Sequence, residues 1–205
     1  NSKVSKMSKI TQAQIANLQN NGVVAYPTST LPGLGCLPNK RALDNLYKLK
    51  NRPQNQPVSL GVATIQQAES LVDVPDFAKL LLDNFPLGSI TLILDAVNTL
   101  DSRLGGDRVA VRVLADKTAI ELVTKIGPIT ATSANHSGVE PLHNVRDAAD
   151  VLGLNEESIV DGDCPGGNPS TILSLVKDEE NTHGYTVSIM REGVVPTNDV
   201  NTWLR

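Results

Sequence analysis

The chain has 205 residues, and its 18 lysines and arginines against 22 aspartates and glutamates leave a formal net charge of −4. Hydrophobic residues make up 40% of it, charged residues 20% and aromatics 3%. These values exclude an intrinsically disordered chain and a broad basic face that tracks nucleic acid, and the length allows a sizeable core.

Residues 1–7 lack the apolar centre of a signal peptide and read as a flexible end before a single domain over 8–205. Thr11-Gln12-Ala13-Gln14 has the form of a capping box and opens a helix to about Gln19. Residues 22–27 read as a buried strand, and 28–38 as a loop rich in Gly, Pro and Thr. Ala42, Leu43, Leu46 and Leu49 recur at helical spacing. A strand is expected over 58–63, a helix capped by Thr64 to about Val72, and a helix over 76–84 opened by Pro75. Residues 89–94 and 108–113 are β-like, the second strictly alternating. Asp116 caps a helix that stops at Gly127, and 128–132 follow as a short buried strand. Asn144 caps a helix ending near Gly153. Strands are expected over 158–160, 171–175 and 185–191, with 177–183 as a charged hairpin turn. Helices and strands intermix without strict alternation. The expected fold class is therefore α/β, with a twisted, open, mixed sheet (parallel and antiparallel) and helices packed on it.

Cys36 and Cys164 each stand beside Gly or Pro, which argues against a disulfide framework and for a reduced, cytoplasmic setting. No C-x-x-C or H-E-x-x-H occurs, and His136, His143 and His183 form no ligand pattern. No apolar run reaches membrane-spanning length, so no membrane partner is expected.

Four stretches carry candidate chemistry. In 128–138 a buried strand runs into Thr132-Ser133-Ala134-Asn135-His136-Ser137-Gly138, a turn of short polar side chains where α/β proteins place ligands. In Lys50-Asn51-Arg52-Pro53 the proline pushes Arg52 out of helical geometry, so the helix ends near Lys50. If the run beyond is extended, residues two apart aim together, and two cations meet one phosphate or carboxylate. Taken alone, this pair reads rather as a helix C-terminus whose cations complement the dipole. Thr28 and Thr30, followed by Gly33 and Gly35, place hydroxyls beside backbone that a ligand can approach, without forming a P-loop. The Gly/Pro loop 161–171 leads into a strand at Ser170. The stretch 128–138 and each of the last two read also as ordinary turns. Arg112 and Arg191 lie in or at the end of strands, where arginines more often pair with carboxylates. No nucleophile–base constellation is visible, so positioning and charge stabilisation are the expected mode of catalysis.

Five motifs in order resemble the YrdC/TsaC family, the threonylcarbamoyl-AMP synthases. They are Lys50-x-Arg52-Pro53, Val109-Ala110-Val111-Arg112, Thr132 to Gly138, Cys164-Pro165-Gly166-Gly167-x-Pro169-Ser170-Thr171 and Ile189-Met190-Arg191-x-Gly193. The resemblance implies a twisted α/β sheet with a large, positively charged concave cavity. It implies condensation of L-threonine, bicarbonate and ATP to threonylcarbamoyl-adenylate and pyrophosphate. Mg2+ would accompany ATP, and a tRNA threonylcarbamoyl-transferase complex would use the product. By motif, Lys50 and Arg52 would be catalytic and meet the phosphates. Ser133, Asn135 and Arg191 would hold the nucleotide. Thr28 or Thr30, Arg112 and Ser170 would position L-threonine, with Arg112 on its carboxylate.

The chain departs from the family pattern at several places. Ser29 stands where an acid is usual, Pro32 where an aromatic is usual, Gln56 for Lys or Asn, and Gly61 for a histidine. The usual W-P-G-P-x-T appears as Pro86-Leu87-Gly88-Ser89-Ile90-Thr91. The resemblance is to the short form, without the C-terminal extension domain of longer relatives. The alternatives are a divergent paralogue with other adenylate chemistry and a non-catalytic RNA-binding module. The net charge and the scarcity of aromatics weigh against the latter.

Overall fold

Thr11 opens the first helix as a capping box: its hydroxyl accepts from Gln14 N at 3.2 Å, and the Gln14 side chain accepts from Thr11 N at 2.8 Å. The structure, a computed structural model, describes residues 8–205, so the expectation for 1–7 lies outside the described residues. Helix α1 (Gln12–Gln19) leads to β1 (Val24–Tyr26), β2 (Gly33–Gly35), α2 (Lys40–Lys50) and β3 (Leu60–Val62). Then come α3 (Ile65–Glu69), α4 (Asp76–Asn84), β4 (Ile90–Asp95), β5 (Arg108–Val113) and α5 (Lys117–Ile126). The chain continues through β6 (Ile129–Thr130), β7 (Thr132–Ser133), α6 (Val145–Val151), β8 (Thr171–Lys177), β9 (Tyr185–Arg191) and α7 (Thr197–Leu204).

The strands form two sheets, one of three strands in the order β1-β2-β7 and one of six in the order β6-β3-β5-β4-β8-β9. The larger sheet is mixed as expected: β3 with β5 and β4 with β8 are parallel, while β4 with β5 and β8 with β9 are antiparallel. Alternation along these strands separates its two faces. Leu92, Leu94, Val109, Val111, Leu173 and Leu175 point into the main core. Ile93, Ala110, Arg112 and Ile172 point the other way and floor a cavity.

Four elements differ from the sequence reading. The strand expected over 128–132 is split between the sheets: β6 pairs with β3, and β7 pairs with β2. Thr130 makes the changeover. Its hydroxyl accepts from Cys36 N at 3.0 Å and donates to Leu34 O at 3.0 Å, and its carbonyl accepts from the Tyr26 phenol at 2.8 Å. The strand expected over 158–160 is instead a 3-10 turn, Glu156–Ser158, followed by a single bridge from Ile159 to Ala25. Acidic residues in the turn and a short apolar run leave too little chain for a ladder. Helix α7, invisible in periodicity, is fastened by aromatics, with Trp203 stacked 5.6 Å from Phe77. The loop over 28–38 also hides β2, whose glycines are required by contact: a Cβ at Gly33 would lie 2.7 Å from the Tyr26 ring.

Thr130→Val retains the shape of the side chain but orphans the buried Cys36 N–H. The expected loss is about 1–3 kcal/mol, read as a Tm drop of roughly 2–4 °C per kcal/mol in a thermal melt.

Candidate functional site

A cavity of about 640 Å³ lies between the open face of the larger sheet and the loops that leave β1, β7 and α6. Of the nine residues singled out in the sequence, Thr28, Thr30, Arg52, Arg112, Ser133, Ser170 and Arg191 line it. Lys50 and Asn135 are not among its lining residues; they stand one layer behind Ser133.

Each wall has a local cause. After β1, the Thr28 hydroxyl folds the turn by donating to Leu31 O at 2.5 Å and accepting from Thr30 N at 3.1 Å. That turn leaves Ser29 and Thr30 facing Arg112. The Arg112 side chain, 5% exposed, donates from Nε to Gly88 O at 2.8 Å, and from Nη2 to Ser29 Oγ at 3.2 Å and Thr30 Oγ1 at 3.1 Å. Burial lowers its basicity, and the nearby Arg191 charge adds to the effect. Arg191 ends β9 and donates to Ser170 O from Nε at 3.2 Å and from Nη2 at 2.7 Å. Withdrawal of its guanidinium from water, and then the charge of Arg52, lower its basicity as well. Ser170, 4% exposed, shares a hydrogen bond with Thr91 Oγ1 at 2.7 Å. Arg52 donates from Nε to Gln56 O at 2.9 Å and from Nη2 to Pro57 O at 2.8 Å.

Among the described residues, Arg52, Arg112 and Arg191 have no ion pair with a carboxylate. The expectation that Arg112 and Arg191 pair with carboxylates holds for neither, whereas Arg108 on the same strand as Arg112 pairs with Asp95 at 2.8 Å. Glu140 is the one carboxylate lining the cavity, and it is exposed at the mouth. Charge repulsion within this group is therefore uncancelled, and the cavity attracts a multiply charged anion.

The Lys50 and Arg52 pair is built differently from the extended run considered above. Lys50 is the last residue of α2, and Asn51 turns left-handed with φ 52°. Arg52 N then bonds back to Tyr47 O at 2.9 Å, closing the helix end. This reversal sends Arg52 to the cavity and Lys50 inward. Lys50, 1% exposed, donates from Nζ to Ser133 O at 2.5 Å, Asn135 O at 2.9 Å and Asn135 Oδ1 at 3.0 Å. Ser133 Oγ also donates to Asn135 Oδ1 at 2.6 Å. Burial, and then the charge of Arg52, push Lys50 down to about 7.

Sequence reasoning missed Ser29, Arg108, Glu140 and His143 as residues of the site. The alternation Arg108-Val109-Ala110-Val111-Arg112 held the signal for Arg108, since both arginines fall on one face of β5. Glu140 and His143 come from the connection between β7 and α6 and carry no periodic signal. Gly166, with φ 77°, is required there because a Cβ would lie 2.4 Å from the His143 ring.

The residues offer a metal ion little. Among the described residues no group of three or more His, Cys, Asp or Glu side chains could hold one.

Comparison with known proteins places the chain among characterised relatives. A family model named for Sua5, YciO and YrdC, described as telomere recombination, matches residues 16–193. The chain is 38% identical over 170 residues to the threonylcarbamoyl-AMP synthase of Bacillus subtilis (strain 168), covering 80% of this chain and 49% of that protein. It is 31% identical over 176 residues to the threonylcarbamoyl-AMP synthase of Photobacterium profundum, covering 82% of this chain and 95% of that protein. The solved structure of P. abyssi Sua5 complexed with L-threonine superposes with a TM-score of 0.79 at 25% identity, over 97% of this chain and 58% of that one. The chain thus spans about half the length of the Bacillus and P. abyssi proteins and nearly all of the Photobacterium one.

Between about pH 7 and the ordinary lysine value of 10.5, folded Lys50 has released a proton that the unfolded chain still holds. Raising the pH through this window therefore stabilises the folded form. Urea unfolding of the wild type and Lys50→Met is expected to show the wild type gaining on the variant between about pH 7 and about pH 9.

Proposed function

Because the chain belongs to the Sua5/YciO/YrdC family, we propose that its cavity is the active site of an L-threonylcarbamoyladenylate synthase. This enzyme condenses L-threonine, bicarbonate and ATP to threonylcarbamoyl-AMP and pyrophosphate. The observation that carries the reading is the set of three arginines without carboxylate partners around a cavity of about 640 Å³. All three substrates are anions or carry a carboxylate, so one field serves them all.

Arg112 takes the threonine carboxylate. Its Nε and Nη2 are held by Gly88, Ser29 and Thr30, which leaves the N–H bonds of Nη1 to donate to the carboxylate. Ser170 and Thr30 supply hydroxyls beside that carboxylate. Arg191 and Arg52 take the polyphosphate, and Ser133, backed by Asn135, borders the nucleotide. In the reaction the threonine nitrogen gains the carbon of bicarbonate, with loss of water. A carbamate oxygen then displaces pyrophosphate from the α-phosphorus. Negative charge moves outward onto the leaving pyrophosphate, and fixed guanidinium groups stabilise that movement without reorganising. No buried base lines the cavity, so holding the reactants together supplies much of the acceleration. Mg2+ would travel on the phosphates of ATP, since the cavity wall offers only Glu140. The mixed-anhydride product would pass to a transferase complex that modifies tRNA.

Pyrophosphate release by the pure protein is expected only when L-threonine, bicarbonate and ATP are all present. Release independent of threonine would count against the reading. Arg112→Lys retains the charge but loses the planar fork. It is expected to lower kcat/KM for threonine by roughly 100-fold, equivalent to about 3 kcal/mol.

A further inference from the structure

Lys50 belongs to the paired-cation motif, yet its ammonium is turned away from the cavity. Around Nζ stand three oxygen acceptors: the carbonyls of Ser133 and Asn135 and the Asn135 side-chain oxygen. From the other side, Ser137 N donates to the Lys50 carbonyl at 2.9 Å. The loop from 133 to 139 is thus held at both ends of one residue, and its first member, Ser133, lines the cavity. Asn135 Nδ2 closes the loop on itself by donating to Val139 O at 2.5 Å.

Resting on the reading of the cavity as a nucleotide site, we propose that Lys50 is a positioning residue. Its ammonium clamps the 133–139 loop so that Ser133 faces the nucleotide, and a bound polyphosphate tightens the clamp by drawing a proton onto Nζ.

The count of donors and acceptors is fully satisfied only by the charged group. An ammonium has three N–H bonds for three oxygens, whereas a neutral amine has two and must turn its lone pair toward one of them. The groups packed around Nζ make the proton exchangeable. The segment after α2 contributes the Arg52 charge, which opposes the cation. The loop contributes neutral oxygens, and neither His136 nor Glu140 on it hydrogen-bonds to Nζ. No carboxylate among the described residues pairs with Lys50, so an anion bound in the cavity beyond Ser133 would act as its countercharge. Free Lys50 therefore sits near neutrality, and an anion in the cavity raises its proton affinity.

The test is calorimetric titration of ATP with Mg2+ into the full chain, without threonine or bicarbonate, in two buffers of different ionisation enthalpy. At about pH 8 the nucleotide phosphates hold almost no proton of their own. The wild type is expected to take up a proton on binding, and its affinity is expected to fall several-fold between about pH 7 and about pH 9. Lys50→Met is expected to bind more weakly, with no uptake and a flat profile. Lys50→Arg, whose charge does not titrate, is expected to show a flat profile too. Wild-type binding without proton uptake overturns the proposal, even if neither variant folds. Uptake that persists in Lys50→Met also overturns it. No ATP binding by the wild type overturns the nucleotide reading together with it.

Discussion

Four cations around one hollow rest on oxygen atoms that carry no full charge. Lys50 is held by two carbonyls and an amide, Arg112 by a carbonyl and two hydroxyls, Arg52 by two carbonyls and Arg191 by Ser170. Elsewhere in the molecule two arginines are neutralised outright. Arg103 meets Asp44 and Asp101, and Arg146 meets Glu156 and Asp161. The contrast has a physical meaning. A neutral acceptor satisfies the directional need of an N–H but leaves the charge in place, and for buried Lys50 and Arg112 withdrawing that charge from water is costly. The fold tolerates that cost at one place, and an anionic ligand relieves it there.

The architecture that permits this is a sheet with unequal faces. One face of the six-stranded sheet is covered by the core, while the other is left open beneath the loops. Strand β5 places Arg108, Ala110 and Arg112 on the open face and Val109 and Val111 in the core. The chain between β6 and β7 leaves the larger sheet and joins the smaller one at Thr130 and Thr132, so Ser133 emerges at the cavity wall. The same move brings Asn135 over the end of α2, where Lys50 waits for it.

Much of this was legible in the residues. Caps at Thr11, Thr64, Asp116 and Asn144 marked real helix starts, and alternation at 108–113 marked a real strand. What escaped had no local signature. The two-residue strands β6 and β7 are too short for a period, and only the partners of Thr130 divide them. Helix α7 depends on Phe77, more than a hundred positions away. The direction of Lys50 turned on a single left-handed residue, Asn51, which a rule of alternating side chains does not foresee. The departures at Ser29 and Gly61 also became interpretable only in three dimensions. Ser29 offers Arg112 a hydroxyl instead of a countercharge, and a Cβ on Gly61 would lie 2.9 Å from buried Leu114. A histidine at that position would require the Leu114 side chain to shift.

The central claim is that these uncancelled guanidinium groups hold the anionic parts of the substrates in one hollow. A crystal structure of the chain with a non-hydrolysable ATP analogue and L-threonine tests it most directly. The account expects phosphate oxygens within hydrogen-bond distance of Arg52 and Arg191, and the threonine carboxylate on Arg112. A nucleotide bound elsewhere, with those three side chains still resting on Gln56, Ser170 and Gly88 alone, would contradict it.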